Sequence, residues 1–156
     1  MNFNNYTQKS LEAVQAAQTI ARSNNHQQME QVHLLLALLN QEGGLTPQLL
    51  RKMDVTVESL NAAVMQELKK IPGVSGSREA DRFYVTADVD AAFTAAEQQA
   101  KAMKDEFVSV EHLFLGLLDA AQDKVADLFR MYNIRKEDCL KALQSVRGNQ
   151  RVTSDN

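Results

Sequence analysis

A carboxylate and an imidazole occur at a spacing that metal-binding helical bundles use. Glu30 and His33 form a Glu-x-x-His motif, which places both side chains on one face of a helix, as in di-iron carboxylate proteins. A di-iron site needs a second such motif, but His112, which stands in a similar sequence, has Ser109 in place of the glutamate. We therefore expect no metal site. We interpret both histidines as residues that begin core helices and hydrogen-bond neighbouring backbone or side chains.

Nucleophilic catalysis and nucleotide hydrolysis lack their sequence signals. Cys139, the single cysteine, falls in an apolar pattern with Leu140 and Leu143, which predicts a core thiol rather than a nucleophile. A phosphate-binding P-loop ends in Gly-Lys-Ser or Gly-Lys-Thr, and none of the six glycines precedes a lysine. We therefore predict that this chain is not an enzyme and binds no cofactor of its own.

The composition disfavours several classes of partner. The 156 residues are 44% hydrophobic and 24% charged, with a net charge of -3 and no cluster of lysine and arginine, so a nucleic-acid partner is not expected. No apolar run approaches the roughly 18 residues of a membrane span, and no signal peptide precedes the first helix. One cysteine cannot form an internal disulfide. We expect a cytoplasmic protein that binds neither nucleic acid nor membrane.

The elements that position these residues come in two copies. The string HLLLALL beginning at His33 aligns without a gap with HLFLGLL beginning at His112, an offset of 79 residues. At the same offset Thr7 aligns with Thr86, and small and apolar residues match at helical spacing, as expected for a shared packing plan. The chain is therefore predicted to be all-α, with two pseudo-twofold-related four-helix repeats.

Helix starts can be placed from capping residues, and eight helices are predicted. Thr7 and Thr86 stand where an N-cap hydroxyl can accept a free N–H of the first turn of a long helix. The two apolar strings follow as short core helices. Thr46 and Pro47 are predicted to cap and begin the third helix, and Thr56 to cap the fourth.

A linker separates the repeats and carries two aromatic residues at its end. The predicted divisions are residues 1–70 for the first repeat, 71–85 for a linker, 86–147 for the second repeat and 148–156 for a polar tail. Phe83 and Tyr84 have no partner in the apolar face of the helix that follows. They could line a surface groove or seal the seam between the repeats, and both alternatives stay open.

The double helical unit, the string LLNQEGG after the first core helix and the ending RGNQRVTSDN together resemble the Clp N-terminal domain over essentially the whole chain. LLNQEGG and RVTSDN are similar to the ClpB branch of ring-forming AAA+ disaggregases. The resemblance implies a domain, tethered above an ATPase ring, that recognises unfolded or aggregated polypeptide. It also implies a full-length homohexamer that uses ATP and Mg and works with an Hsp70-type chaperone system, with the AAA+ module following the polar tail.

The resemblance also implies a substrate face. Carried over by position, its polar residues are Thr7, Asp105 and Glu111, with apolar groove residues near the junction of the repeats. Our candidates for these apolar residues are Leu11, Phe83, Tyr84 and Phe107. The related ClpC branch uses threonine and glutamate in both repeats to hold phosphorylated arginine. Here Val32 stands in one of the two glutamate positions, so a carboxylate that could pair with a guanidinium is missing there.

Two functions from different classes remain open. The first is a client-binding module, in which a shallow apolar groove rimmed by exposed carboxylates binds unfolded segments weakly, because apolar burial is favourable at about 25 cal/mol per Å² before ordering costs. The second is a docking platform for a folded adaptor or regulatory partner. A client binder should accept unfolded chains of varied sequence, whereas a docking platform should bind one folded protein stoichiometrically.

Overall fold

The computed structural model describes residues 2–74 and 84–156, and these residues form eight α-helices, four in each repeat. The first repeat contains α1 (Gln8–Ser23), α2 (Gln31–Asn40), α3 (Leu45–Lys52) and α4 (Val57–Lys69). The second contains α5 (Ala87–Ala102), α6 (Val110–Ala120), α7 (Asp123–Met131) and α8 (Lys136–Arg147). The prediction of an all-α fold with eight helices is confirmed.

The long first helix of each repeat begins as predicted. The Thr7 hydroxyl accepts the Ser10 N–H at 3.1 Å, and the Thr86 hydroxyl accepts the Val89 N–H at 3.4 Å. Thr56 is the N-cap residue of α4, as expected, although its side chain makes no capping hydrogen bond. Threonine at a helix start therefore located three of the eight helices correctly.

The predicted start of α3 was wrong. The helix begins at Leu45 with Gly44 as its N-cap, so Thr46 lies inside the first turn, where its buried hydroxyl has no hydrogen-bond partner among the described residues. The cause is the glycine pair before the helix. Gly43 has a φ of +66°, which glycine adopts without strain, and the Gly44 N–H bonds the Gln41 carbonyl at 2.9 Å. This tight turn brings the chain into helical conformation two residues early.

Two short parallel backbone pairings join the repeats, and neither was predicted. Strand β1 (Gln28–Met29) pairs with β2 (Tyr84–Val85), and a single bridge connects Tyr6 with Val108. Under the repeat alignment Tyr6 corresponds to Val85 and Val108 to Met29. Each pairing therefore joins the segment before the first helix of one repeat to the connection between the first two helices of the other, as a pseudo-twofold axis requires. We call them the Tyr6–Val108 junction and the Met29–Val85 junction.

The hydrogen bonds at the two junctions repeat the symmetry. The Thr7 N–H bonds the Val108 carbonyl at 2.9 Å, and the Thr86 N–H bonds the Met29 carbonyl at 3.0 Å. The start of α1 is thereby attached to the second repeat, and the start of α5 to the first. The start of each long helix is therefore held in part by a hydrogen bond from the other repeat.

The two core helices, α2 and α6, pack against each other and against helices of both repeats in one apolar core. Gly116 in α6 permits an unusually close approach to α5, because a Cβ there would lie 2.4 Å from the Ala92 carbonyl oxygen. Cys139 of α8 is fully buried in this core, which confirms the predicted core thiol. Burial, with Glu111 nearby, raises the pKa of the Cys139 thiol to about 12. Within the described residues, no helix combines the length and apolar character needed to cross a bilayer.

Candidate functional site

The site is built around His112, which lies in the first turn of α6 and is fully buried. Its Nδ1 accepts the Ser109 backbone N–H at 2.8 Å, which satisfies a free donor at the helix start. Because Nδ1 acts as acceptor, Nε2 carries the proton and donates to the Asp105 carboxylate at 2.7 Å. Burial lowers the pKa of His112 despite the neighbouring carboxylates Glu111 and Asp105, so the ring is a neutral donor at pH 7. The role expected for His112 from the sequence is confirmed.

Arg147, the last residue of α8, closes the site over two carboxylates. Its Nη1 donates to Asp105 at 2.8 Å and its Nη2 donates to Glu111 at 2.8 Å. The Arg147 side chain is only 8% exposed, and those of Asp105 and Glu111 are 0% and 10% exposed. The guanidinium therefore holds both carboxylates in a buried ion-pair cluster. We call Asp105, Glu111, His112 and Arg147 the charged cluster.

Asp105 is the most densely bonded member of the charged cluster. Its second carboxylate oxygen accepts the Val152 backbone N–H at 2.8 Å, in addition to the bonds from His112 and Arg147. Burial alone would raise the pKa of Asp105, but the Val152 N–H, Arg147 and His112 together outweigh it and hold the pKa below its ordinary value. Asp105 is therefore a fixed, ionised acceptor.

The first repeat lacks this cluster, and its differences occur together. His26, Val32 and Leu68 occupy the positions of Asp105, Glu111 and Arg147. His33 Nδ1 accepts the Glu30 N–H at 2.8 Å, so its protonated Nε2 donates to His26 Nδ1, also at 2.8 Å. The capping geometry is thus conserved between the repeats, while the charges are absent from the first.

The Glu-x-x-His spacing serves helix capping in the first repeat, because both ring nitrogens of His33 are engaged in hydrogen bonds. Burial and the nearby His26 lower the pKa of His33 to about 4. Across residues 2–74 and 84–156, no group of three or more histidine, cysteine, aspartate or glutamate side chains is arranged to hold a metal ion.

The Tyr6–Val108 junction forms one wall of a cleft of about 430 Å³ beside the charged cluster. The cleft is lined by residues from the N-terminal segment, α5 and the connection to α6, among them Asn5, Tyr6, Glu97, Lys101, Asp105 and Glu106. The Tyr6 hydroxyl donates to the Glu97 carboxylate at 2.8 Å. Burial, together with that carboxylate, raises the pKa of Tyr6 and keeps its hydroxyl a neutral donor.

The polar tail lies against this site, which the sequence did not indicate. Val152 uses both of its main-chain groups there, because its N–H donates to Asp105 and its carbonyl accepts the Glu106 N–H at 2.8 Å. Three residues later, the Asp155 carbonyl accepts the N–H of Gln8, the first residue of α1, at 2.7 Å. The tail therefore runs between the charged cluster and the start of α1.

The structure brings part of the predicted substrate face together. Thr7 lies at the start of α1, joined to Val108, and the two predicted carboxylates lie in the charged cluster on the adjoining connection and α6. Phe107 is half-buried on that connection, and Leu11 is half-buried one turn into α1. Their part in binding remains a prediction. The expectation of exposed rim carboxylates is wrong, because Arg147 neutralises and covers both of them.

Tyr84 belongs to the other junction. It pairs with Gln28 in the Met29–Val85 junction, and its side chain is 58% exposed. Tyr84 is therefore not part of the Tyr6–Val108 junction that carries Thr7 and Asp105. Phe83, its predicted companion, lies outside the described residues.

The double repeat, the crossed junctions and the capping histidines define a Clp-type N-terminal domain. The family model described as the Clp repeat (R) N-terminal domain matches residues 5–132, and the chain belongs to this family. The chaperone protein ClpB of Bacillus anthracis is 39% identical over 157 residues, covering 100% of this chain and 18% of the relative. The chaperone protein ClpB of Clostridium tetani is 38% identical, covering 97% and 18%. The resemblance to the ClpB branch is confirmed.

Solved structures share the fold. The Hsp104 N-terminal domain from Candida albicans matches with a TM-score of 0.85 and 20% identity, covering 98% of both chains. The N-domain of ClpV from Vibrio cholerae matches with a TM-score of 0.73 and 15% identity, covering 99% of this chain and 90% of the other. The present chain spans less than a fifth of the length of the curated ClpB relatives.

Proposed function

We propose that this chain is the client-binding N-terminal domain of a ClpB-type disaggregase, and that it binds extended segments of unfolded or aggregated polypeptide at the Tyr6–Val108 junction. The observation that carries the proposal is that a polypeptide segment without helix or strand structure already lies beside this junction. Residues 152–155 are attached to Asp105, Glu106 and the start of α1 by main-chain groups. Main-chain recognition is independent of sequence, as a client binder requires.

The energetics of the site fit weak binding. The cleft of about 430 Å³ exposes little apolar surface, because Tyr6 and Val108, which line it, are only 3% and 4% exposed. Its contacts with a chain would therefore come mainly from polar groups that orient the chain. Ordering an unfolded segment costs free energy at every residue, so a short contact of this kind gives modest affinity. Modest affinity allows the client to be released to an ATPase ring. In the full-length protein we propose a cytoplasmic homohexamer that uses ATP and Mg and works with an Hsp70-type chaperone system.

The alternative is a docking platform for a folded adaptor or a regulatory partner. It is supported by a structural neighbour, since a ClpV N-domain of 14% identity and TM-score 0.70 has been solved as a complex with a VipB peptide. That occupant is a defined peptide rather than an unfolded chain. A docking platform predicts saturable, stoichiometric binding to one protein and no binding to unrelated unfolded chains.

Phosphoarginine is not the ligand that this site favours. The Glu111 carboxylate, which would pair with an incoming guanidinium, is already bonded to Arg147. The corresponding position of the first repeat holds Val32, which offers no charge. A phosphoarginine peptide would have to displace a buried arginine to gain an equivalent contact.

An NMR titration of the 156-residue chain with reduced, carboxymethylated α-lactalbumin tests the proposal. We expect amide shifts at Gln8, residues 105–108 and residues 150–156. Phe107→Ser should weaken binding, whereas Met131→Ser should leave it unchanged, because Met131 is 74% exposed on α7 and belongs to neither junction. Shifts that cluster around Arg51, Lys69 and Arg130 would move the site elsewhere. No binding to any unfolded chain would favour the docking platform.

A further inference from the structure

We infer that the tail, residues 148–156, is an internal competitor for the site, so that an extended client binds by displacing it. This inference rests on the proposed function, because it regulates the same surface. The site then has two states, one closed by the tail and one open to a client. The tail occupies the site through main-chain groups, which are the same groups that a client polypeptide would offer.

The tail's contacts are those that any extended polypeptide could make. The Val152 N–H, the Val152 carbonyl and the Asp155 carbonyl are main-chain groups, present in every residue type except for the N–H of proline. The tail's side chains contribute little, since from residue 149 onward all are exposed except Val152, which is half-buried. A client segment that adopts the same backbone path could therefore replace each bond.

The groups of the domain that bond the tail are held in position by other contacts within the domain. Asp105 is held by His112 and Arg147 and is ready to accept a main-chain N–H. Gln8 presents a helix-start N–H that has no partner inside α1. The receiving groups are therefore fixed whether the tail or a client occupies them.

The tail is also kept close to the site. Arg147 ends α8 inside the charged cluster, and Gly148 follows with a φ of +63°, a conformation that favours glycine. Only four residues separate Arg147 from the Val152–Asp105 hydrogen bond. Such a short connection gives the tail a high effective concentration, so it lowers the apparent affinity for clients and helps to expel them.

Three variants of the 156-residue chain test this inference. Termination after Asn149 removes the competing segment, and Val152→Pro removes the N–H that Asp105 accepts. Thr153→Pro is the matched control, because it adds a proline next to Val152, leaves both Val152 groups intact and favours an extended conformation there. Melting temperature is measured for each variant to confirm that the fold is kept. The Gln8 and Glu106 amide signals report whether the tail is bound.

Affinity for reduced, carboxymethylated α-lactalbumin gives the result. We expect the truncated chain and Val152→Pro to bind about threefold to tenfold more tightly than the parent, and Thr153→Pro to bind like the parent. Truncation that leaves the affinity unchanged or weakens it overturns the competitor inference while the proposed function stands. If neither the parent nor the truncated chain binds, the proposed function fails and the inference fails with it.

Discussion

Replacement of Arg147 by leucine should destabilise the domain strongly. Arg147 is the cation shared by Asp105 and Glu111, and all three side chains are at least nine-tenths buried. Leucine fills part of the space but leaves two buried carboxylates without their cation. Asp105 retains hydrogen bonds from His112 and Val152, whereas Glu111, within residues 2–74 and 84–156, has a side-chain hydrogen bond from Arg147 alone.

The expected loss can be estimated from the burial. Breaking a buried ion pair by removing one partner typically costs about 3–5 kcal/mol, because an uncompensated charge remains in a medium of low polarity. A typical domain has only about 5–15 kcal/mol of unfolding free energy, so the variant should lose a large fraction of its stability. Chemical denaturation at pH 7, followed by circular dichroism, measures the difference.

The first repeat supplies the rescuing variant. Val32 and Leu68 fill the positions of Glu111 and Arg147 there, so Glu111→Val combined with Arg147→Leu recreates two of the three differences between the repeats. Asp105 remains, with its hydrogen bonds from His112 and Val152. We expect the double variant to recover more than half of the loss, because replacing a whole buried pair by apolar groups is often nearly neutral.

The pH dependence gives an independent check on the single variant. The pKa of Asp105 is held below its ordinary value in the parent, partly by Arg147. A lowered carboxyl pKa contributes stability above the unfolded value of about 3.9, and this contribution is lost as the pH falls through the folded value. The gap between parent and Arg147→Leu should therefore narrow below about pH 4. A single variant within about 1 kcal/mol of the parent at pH 7 would refute the reasoning.

Two further predictions concern the core. Gly116→Ala should destabilise the folded domain by about 1–3 kcal/mol, despite the better helix propensity of alanine, because the new Cβ would lie 2.4 Å from the Ala92 carbonyl oxygen. A higher melting temperature for this variant would contradict the close contact between α5 and α6. The second prediction concerns His33, whose pKa is lowered to about 4 by burial. Between about pH 6.5 and 4 the unfolded chain therefore binds more protons at this residue than the folded chain does. The unfolding free energy should fall by roughly 2–3 kcal/mol as the pH drops through this range. Urea denaturation across that range measures it, and a flat profile would contradict the buried neutral imidazole.

The helices could be predicted because their signals are local. Apolar periodicity and the aligned copies located all eight helices, and Thr7 and Thr86 marked two starts from a single hydroxyl each. The predicted start of α3 was wrong because two adjacent sequence signals compete there. Thr46-Pro47 favours a start at Pro47, whereas the turn that Gly43 and Gly44 permit allows the helix to begin at Leu45. The crossed junctions involve only one or two residues on each side, too few to produce a strand pattern.

The charged cluster could not be read from local pattern, because Arg147 lies 42 residues from Asp105 and reads as an ordinary basic residue at a helix end. A signal was nevertheless present in the repeat alignment. Glu111 and Arg147 carry opposite charges, and both of their counterparts in the first repeat, Val32 and Leu68, are apolar. When two opposite charges are both absent from the other repeat, they indicate an ion pair, because losing only one of them would leave the other buried without a partner.

The asymmetry of the repeats explains why the candidate site is single although the backbone is nearly twofold. In the second repeat, the ionised Asp105 can receive a main-chain N–H, and the tail donates one. In the first repeat, His26 occupies that position and its Nδ1 is already taken by His33. The segment after α4 bonds instead to a backbone carbonyl, that of Asn25, through the Val74 N–H at 2.8 Å. One junction thus serves as a fixed connection between the repeats, and the other retains a side-chain acceptor whose occupant can be exchanged.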